Sequence, residues 1–103
     1  MKTTISMDIA IGIVIKAFRQ HLSYKQDFVA YKANITTKTL ANIENGRVGL
    51  DLDKLYKLGQ VFCIPPSVIV DMALRVHESG QENWLPNAIK TLKTLPKNNN
   101  DED

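Results

Sequence analysis

The chain has 103 residues, 44% of them hydrophobic, and a formal net charge of +2. That length sets one domain as the expectation, and the composition supplies enough apolar side chains for one core. A single cysteine, Cys63, excludes an intramolecular disulfide framework and any multi-cysteine metal site.

The opening stretch, MKTTISMDIAIGIVIKA, has the lysine, apolar run and small residues of a signal peptide. Its apolar run, Ile9–Ile15, is only seven residues long and lies between Asp8 and Lys16. No A-x-A-like cleavage site follows, and the run is too short to span a bilayer. It reads as a helix of the fold, in a cytoplasmic protein with no membrane partner. This helix is expected from about Met7 to Leu22, where Ile11, Ile15, Phe18 and Leu22 form a stripe at helical spacing. A short second helix, about Gln26 to Ala33, points Val29 and Ala30 inward, and Asn34 breaks it. The third covers Thr37 to Asn45, with Thr36 as side-chain N-cap and Asn45-Gly46 as a left-handed C-cap. The fourth follows the N-cap Asp51 and runs to about Phe62, with Leu52, Leu55, Leu58 and Phe62 as its buried stripe. Cys63, between Phe62 and Ile64, is expected to be a buried small hydrophobe. The fifth starts at Pro66, where a missing N–H costs nothing, and carries Ile69, Ala73 and Val76.

No strand pattern competes. After Gly80, Leu85, Ile89, Leu92 and Leu95 mark a short amphipathic helix ended by Pro96 and peripheral to the other five. Residues 97–103 have no apolar side chain and are expected to be disordered. The organisation expected is all-α: a five-helix domain at 1–78, an amphipathic extension at 79–96 and an acidic tail at 97–103.

Charge is distributed unevenly. The last six residues, NNNDED, hold three acids and no base, so residues 1–100 carry 13 bases and 8 acids. Six bases (Lys16, Arg19, Lys25, Lys32, Lys38 and Arg47) fall within 16–47, against Asp27 and Glu44 alone. This excess suits a polyanion, although a solvated helical face has the same composition. Two short helices, KQDFVAYK and TTKTLANIENG, flank the tight turn ANI in the same region. That is the layout of a helix-turn-helix unit, whose second helix enters the DNA major groove. Threonine is a mediocre helix former, because β-branching restricts its χ1. Thr36, Thr37 and Thr39 nevertheless open this helix. Thr37, Lys38, Ala41 and Asn42 lie on its outer face, while Leu40 and Ile43 hold the other face on the core. The helix is composed for what it shows a partner.

The ordered set IGIVIKAFRQHLS, KQDFVAYKANITTKTLANIENG and LDLDKLYKLGQVFCIPPSVI, from about Ile9 to Val70, resembles the lambda-repressor-like, Xre/Cro-type helix-turn-helix family. The resemblance implies a five-helix domain that binds double-stranded DNA. It places Gln26 against a DNA phosphate at the start of the second helix. Thr37, Lys38 and Asn42 would face base edges, and Ala41 a thymine methyl. Asn45 and Arg47 would hold the backbone. The expected DNA-binding set is thus Gln26, Thr36, Thr37, Lys38, Ala41, Asn42, Asn45 and Arg47. Arg19 and Glu44 match the family's structural ion pair between helices. The chain departs from the family at Ser23 and Asn34, where glycine is common, at Leu50, where proline is, and at Lys25, which replaces a Ser or Thr cap. Threonines and one lysine at the reading positions put weight on DNA shape and phosphates.

Helix one is apolar nearly all round, since Ile9, Ile13 and Val14 lie outside its main stripe, and such a helix must be covered. The cover is the C-terminal segment with Trp84, Leu85, Ile89 and Leu92, a second subunit, or both; the expectation is both, in a two-fold homodimer. The function expected is a transcriptional regulator, a repressor, on an inverted-repeat operator. The alternative is an antitoxin or other interaction module that keeps the scaffold to bind a toxin or regulator. No catalytic constellation, cofactor site or metal site is expected. His21 and His77 lie 56 residues apart without ligand-spaced acids or cysteines, and no serine stands in a nucleophile motif.

Overall fold

The computed structural model of the chain describes residues 5–92, which form six helices and no strand. The helices are α1 (Met7–His21), α2 (Gln26–Lys32), α3 (Thr37–Glu44), α4 (Leu52–Phe62), α5 (Pro66–Ser79) and α6 (Leu85–Thr91). The expectations placed on Leu95, Pro96 and the acidic tail fall outside the described residues.

Local chemistry sets the boundaries. The hydroxyls of Ser6 and Thr36 and the carboxylate of Asp51 each accept from the backbone N–H three residues on, at 3.1, 3.0 and 2.8 Å. Each satisfies one amide that its helix leaves orphaned. The Lys54 ammonium, hydrogen-bonded to Asp51, holds that carboxyl below its ordinary range, so the α4 cap stays ionised until the pH falls through that lowered value. Lys25 makes no side-chain cap bond at the start of α2, which has seven residues. Ser23 and Asn34 both take φ of 58°, so the two replaced glycines still turn the chain.

Cys63 departs from expectation. It is half-buried and forms the left-handed C-cap of α4 with φ 59°, between the buried Phe62 and Ile64. The helix ends there in a left-handed step, and the residue at that step is not drawn fully into the core.

The core is built around α1. Ala10, Val14, Ile15 and Phe18 are all 2% exposed or less, and α1 packs against α3, α4, α5 and α6. Phe18 stacks on Phe62 with ring centroids 5.6 Å apart. Val29 and Ala30 of α2, Leu40 and Ile43 of α3, and Ile69, Ala73 and Val76 of α5 are buried as their spacing implies. Leu52 is not: it is 81% exposed. The buried arc of α4 is set by Leu55, Leu58, Gly59 and Phe62. Leu52 lies about 60° round the helix from Leu55, on the flank it shares with Tyr56. The α4–α5 pair is bent by 104°, and among the described residues no single helix is long and apolar enough to cross a membrane.

α6 is not peripheral. Leu85 and Ile89 are 1% and 5% exposed and belong to the same core as α1. Trp84 anchors the approach to α6: its indole N–H donates to the Gln81 carbonyl at 2.9 Å, and the Arg75 guanidinium sits 4.2 Å from its ring centroid. The apolar surplus of α1 is therefore covered largely within the chain. Val14 is buried, Ile13 half-buried against the core, and Ile9, at 43% exposure, lies over Gly46. The segment before α1 is tied down too, since Ile5 N–H donates to the His77 carbonyl at 3.3 Å and the His77 ring bonds back to the Ile5 carbonyl.

Leu85→Ala is expected to cost about 2–5 kcal/mol, the range for truncating a core leucine. Chemical denaturation measures it; a loss well under 1 kcal/mol would show α6 to be a loosely attached appendage.

Candidate nucleic-acid interface

α2 and α3 are joined by a turn in which three successive amides are hydrogen-bonded back to α2. Ala33, Asn34 and Ile35 N–H groups donate back to Val29, Tyr31 and Ala30 carbonyls at 2.9, 3.1 and 2.9 Å. Ala33 is buried and Asn34 supplies the left-handed step. Thr36 then opens α3, its hydroxyl accepting from Thr39 N–H and donating to the Thr39 hydroxyl at 2.8 Å. Thr36 and Thr39 are thus paired with each other at the helix start, which offsets the weak propensity of the threonines. Thr36, Thr37 and Lys38 are exposed, and Ala41 and Asn42, a turn later, are half-exposed. Leu40 and Ile43 are at most 1% exposed on the opposite face.

The far end of α3 is fixed by a buried carboxylate. The Glu44 side chain is 2% exposed and accepts from Arg19 Nε at 2.7 Å, Arg19 Nη2 at 3.0 Å and Gln26 Nε2 at 2.9 Å. Arg19 also donates through Nη1 to the Tyr24 carbonyl at 3.0 Å. One acid therefore joins α1, α2 and α3, and Arg19 ties the α1–α2 turn to the same cluster. The Arg19–Glu44 pair appears where the family resemblance put it, as a bidentate fork, the stronger carboxylate geometry. The Gln26 amide is a third member of this clamp. Its Nε2 gives one N–H to Glu44, leaving the second N–H, the carbonyl oxygen and the backbone for any outside contact.

Gly12 is the residue that sequence reasoning missed. A Cβ there would lie 2.7 Å from the Glu44 carbonyl oxygen and closer still to that of Ile43. The end of α3 rests directly on the backbone of α1, and only glycine permits that approach. The available signal was a glycine inside an apolar helix, which costs about 1 kcal/mol against alanine and needs a packing reason.

Beyond Glu44 the chain leaves α3 through Gly46, with φ 71°, and Arg47 N–H donates to the Asn42 carbonyl at 2.9 Å. Asn45 and Arg47 are both exposed. The structure so gathers Thr36, Thr37, Lys38, Ala41, Asn42, Asn45 and Arg47 along one helix and its exit, with Gln26 at the start of the neighbouring helix. Among the described residues no group of three His, Cys, Asp or Glu side chains is placed to hold a metal ion.

Removing one partner of a buried ion pair costs more than replacing both. Glu44→Ala is expected to destabilise the fold by about 3 kcal/mol or more, and Arg19→Met combined with Glu44→Leu by clearly less. A double-mutant cycle in urea tests this; independent, additive losses would mean that the two side chains do not act as a unit.

A family model described as helix-turn-helix matches residues 15–69, more than half of the chain. No curated protein matches significantly. Several solved structures share the fold. The clp gene regulator ClgR from Corynebacterium glutamicum is 15% identical, with a TM-score of 0.69 over 73% of this chain and 80% of that one. The restriction-modification controller protein C.AhdI from Aeromonas hydrophila is 18% identical, with a TM-score of 0.59 over 60% of this chain and 94% of that one. A point mutant of the restriction-modification controller protein C.Esp1396I is 21% identical, with a TM-score of 0.62 over 73% of this chain and 92% of that one. With two short helices about an exactingly bonded turn, a clamped second helix and the family match spanning both, the chain belongs to the Xre/lambda-repressor-like helix-turn-helix family of DNA-binding domains.

Proposed function

We propose that the chain is a sequence-specific, non-enzymatic transcriptional regulator of the cytoplasm, a repressor that binds double-stranded DNA as a homodimer on an inverted repeat. The observation that carries this reading is the presentation of α3. Its apolar side is buried to 1% exposure or less, its last residue is clamped, and its small polar side chains face out with no partner in the fold beyond the Thr36–Thr39 pair. A helix that reads base edges needs that combination: rigid placement and side chains short enough for close approach.

Roles follow from position. Thr37, Lys38 and Asn42 meet base edges, Ala41 meets a thymine methyl, and Thr36 lies at the entry of the helix. Gln26, Asn45 and Arg47 meet phosphates. Lys38 is the one long donor among the reading positions, so direct readout concentrates on it, and DNA shape supplies the remainder. One recognition helix covers few base pairs, and two about a two-fold axis read half-sites about one helical turn apart. The competing reading, an interaction module for a toxin or regulator, needs an apolar C-terminal segment free to dock on that partner. Leu85 and Ile89 are spent inside the core, which removes much of that motive.

Lys38→Ala is expected to change which duplexes are preferred. Arg47→Ala is expected to weaken all duplexes alike and to reduce the slope of log affinity against log salt by about one. Titrations on a matched and a scrambled duplex at several salt concentrations separate the two effects. Equal losses from both variants on every sequence would overturn the base-reading role of Lys38.

A further inference from the structure

Away from the exposed face of α3, a cavity of about 330 Å³ opens between α1, the end of α3 and the approach to α6. That volume is in the range that holds one small metabolite. Ile13 and Ala17 of α1 and Leu85 of α6 give it an apolar lining. Its polar groups come from separate elements. α1 contributes Lys16 and Gln20, one turn apart on the same face, and the α5–α6 connection contributes Glu82. Glu44, the clamped last residue of α3, forms part of the wall.

The fold leaves two of these charges unused. Among the described residues neither Lys16 nor Glu82 enters an ion pair, with each other or with any other group. Glu44 differs, because its carboxylate is taken by Arg19 and Gln26. An ammonium and a carboxylate that border one cavity without meeting leave room for a molecule that carries both charges. A ligand with an anionic group alone would satisfy Lys16 and be repelled by Glu82, and one with a cationic group alone would meet the reverse.

We propose that this cavity binds a small zwitterion of the amino-acid class. The ligand's carboxylate meets Lys16 and the Gln20 amide, its ammonium meets Glu82, and its side chain lies against Ile13, Ala17 and Leu85. A molecule held there touches α1, the approach to α6 and the residue that fixes the end of α3. Its binding free energy belongs to the arrangement in which those three parts are together, which is the arrangement that presents α3. Ligand and DNA therefore favour the same state, and by linkage each tightens the binding of the other. The ligand acts as a co-repressor. This regulatory consequence rests on the proposed DNA-binding function, whereas occupation of the cavity is measurable without DNA.

The test is thermal unfolding of the full chain with each standard L-amino acid in turn, at millimolar concentration. The variants compared are Lys16→Met, Glu82→Gln and, as a control, Lys90→Met. Lys16, Glu82 and Lys90 are all exposed, so each variant is expected to keep the helical circular dichroism of the wild type, and Lys90 does not line this cavity. One amino acid, or a chemically related few, is expected to raise the wild-type Tm by about 4 °C or more when about tenfold above its Kd. Lys16→Met and Glu82→Gln are each expected to weaken that ligand at least about tenfold, the scale of a charge-assisted contact, and Lys90→Met to leave it unchanged. No shift with any amino acid would overturn the proposal, as would a shift that both cavity variants retain. The same ligand is expected to tighten binding to a selected duplex about fivefold or more. Saturable binding that leaves duplex affinity unchanged would establish the site and overturn its regulatory role. Saturable binding by a protein that enriches no duplex would establish the site and overturn the DNA-binding reading instead.

Discussion

The carboxylate of Glu44 is the constraint on which the arrangement depends. A charge that is 2% exposed is tolerable only when fully paired, and Glu44 takes three donors from Arg19 and Gln26. Those donors come from α1 and the first residue of α2, so the angle between the two short helices is set by electrostatics as well as by packing. Apolar contacts tolerate sliding; a bidentate guanidinium fork with a third amide does not. α2 and α3 have seven and eight residues, too few to be stable alone, so their placement must be imposed from outside.

The second imposition is steric. Gly12 lets the end of α3 come down onto the α1 backbone, and Gly46, under Ile9, lets the chain leave that end at once. The clamp and these two close approaches act at one end of α3 and leave its opening turn free. This division fits a helix that is held by its C-terminal end and reads with its N-terminal one. α6 serves the same end indirectly, since Leu85 and Ile89 complete the burial of α1, the platform on which α3 rests.

Much of this was legible in the sequence because its signals were local. Ser, Thr and Asp caps, the Asn45-Gly46 stop and the spacing of Ile15, Phe18, Leu40 and Ile43 each report on one turn of helix. The Arg19–Glu44 pair came from family resemblance; no local pattern would have joined residues 25 positions apart. Leu52 shows the limit of periodicity: four leucines and phenylalanines at helical spacing span a wider arc than the core covers, and the pattern does not say which edge is left out. Cys63 shows another, since flanking apolar residues signal burial unless the backbone turns left-handed between them. Gly12 was visible as an anomaly, but the backbone it accommodates lies more than thirty positions away in the chain. The residues proposed to meet DNA are placed along a single exposed edge, and their roles rest on that placement together with the family.

The most direct measurement is selection of purified full-length protein on a random duplex library near physiological salt, with the bound fraction sequenced. The account predicts enrichment of an imperfect inverted repeat whose half-sites are centred about one helical turn apart. Weak binding that vanishes as salt rises, with no sequence enriched, would contradict it and leave the clamped helix a scaffold without a readout.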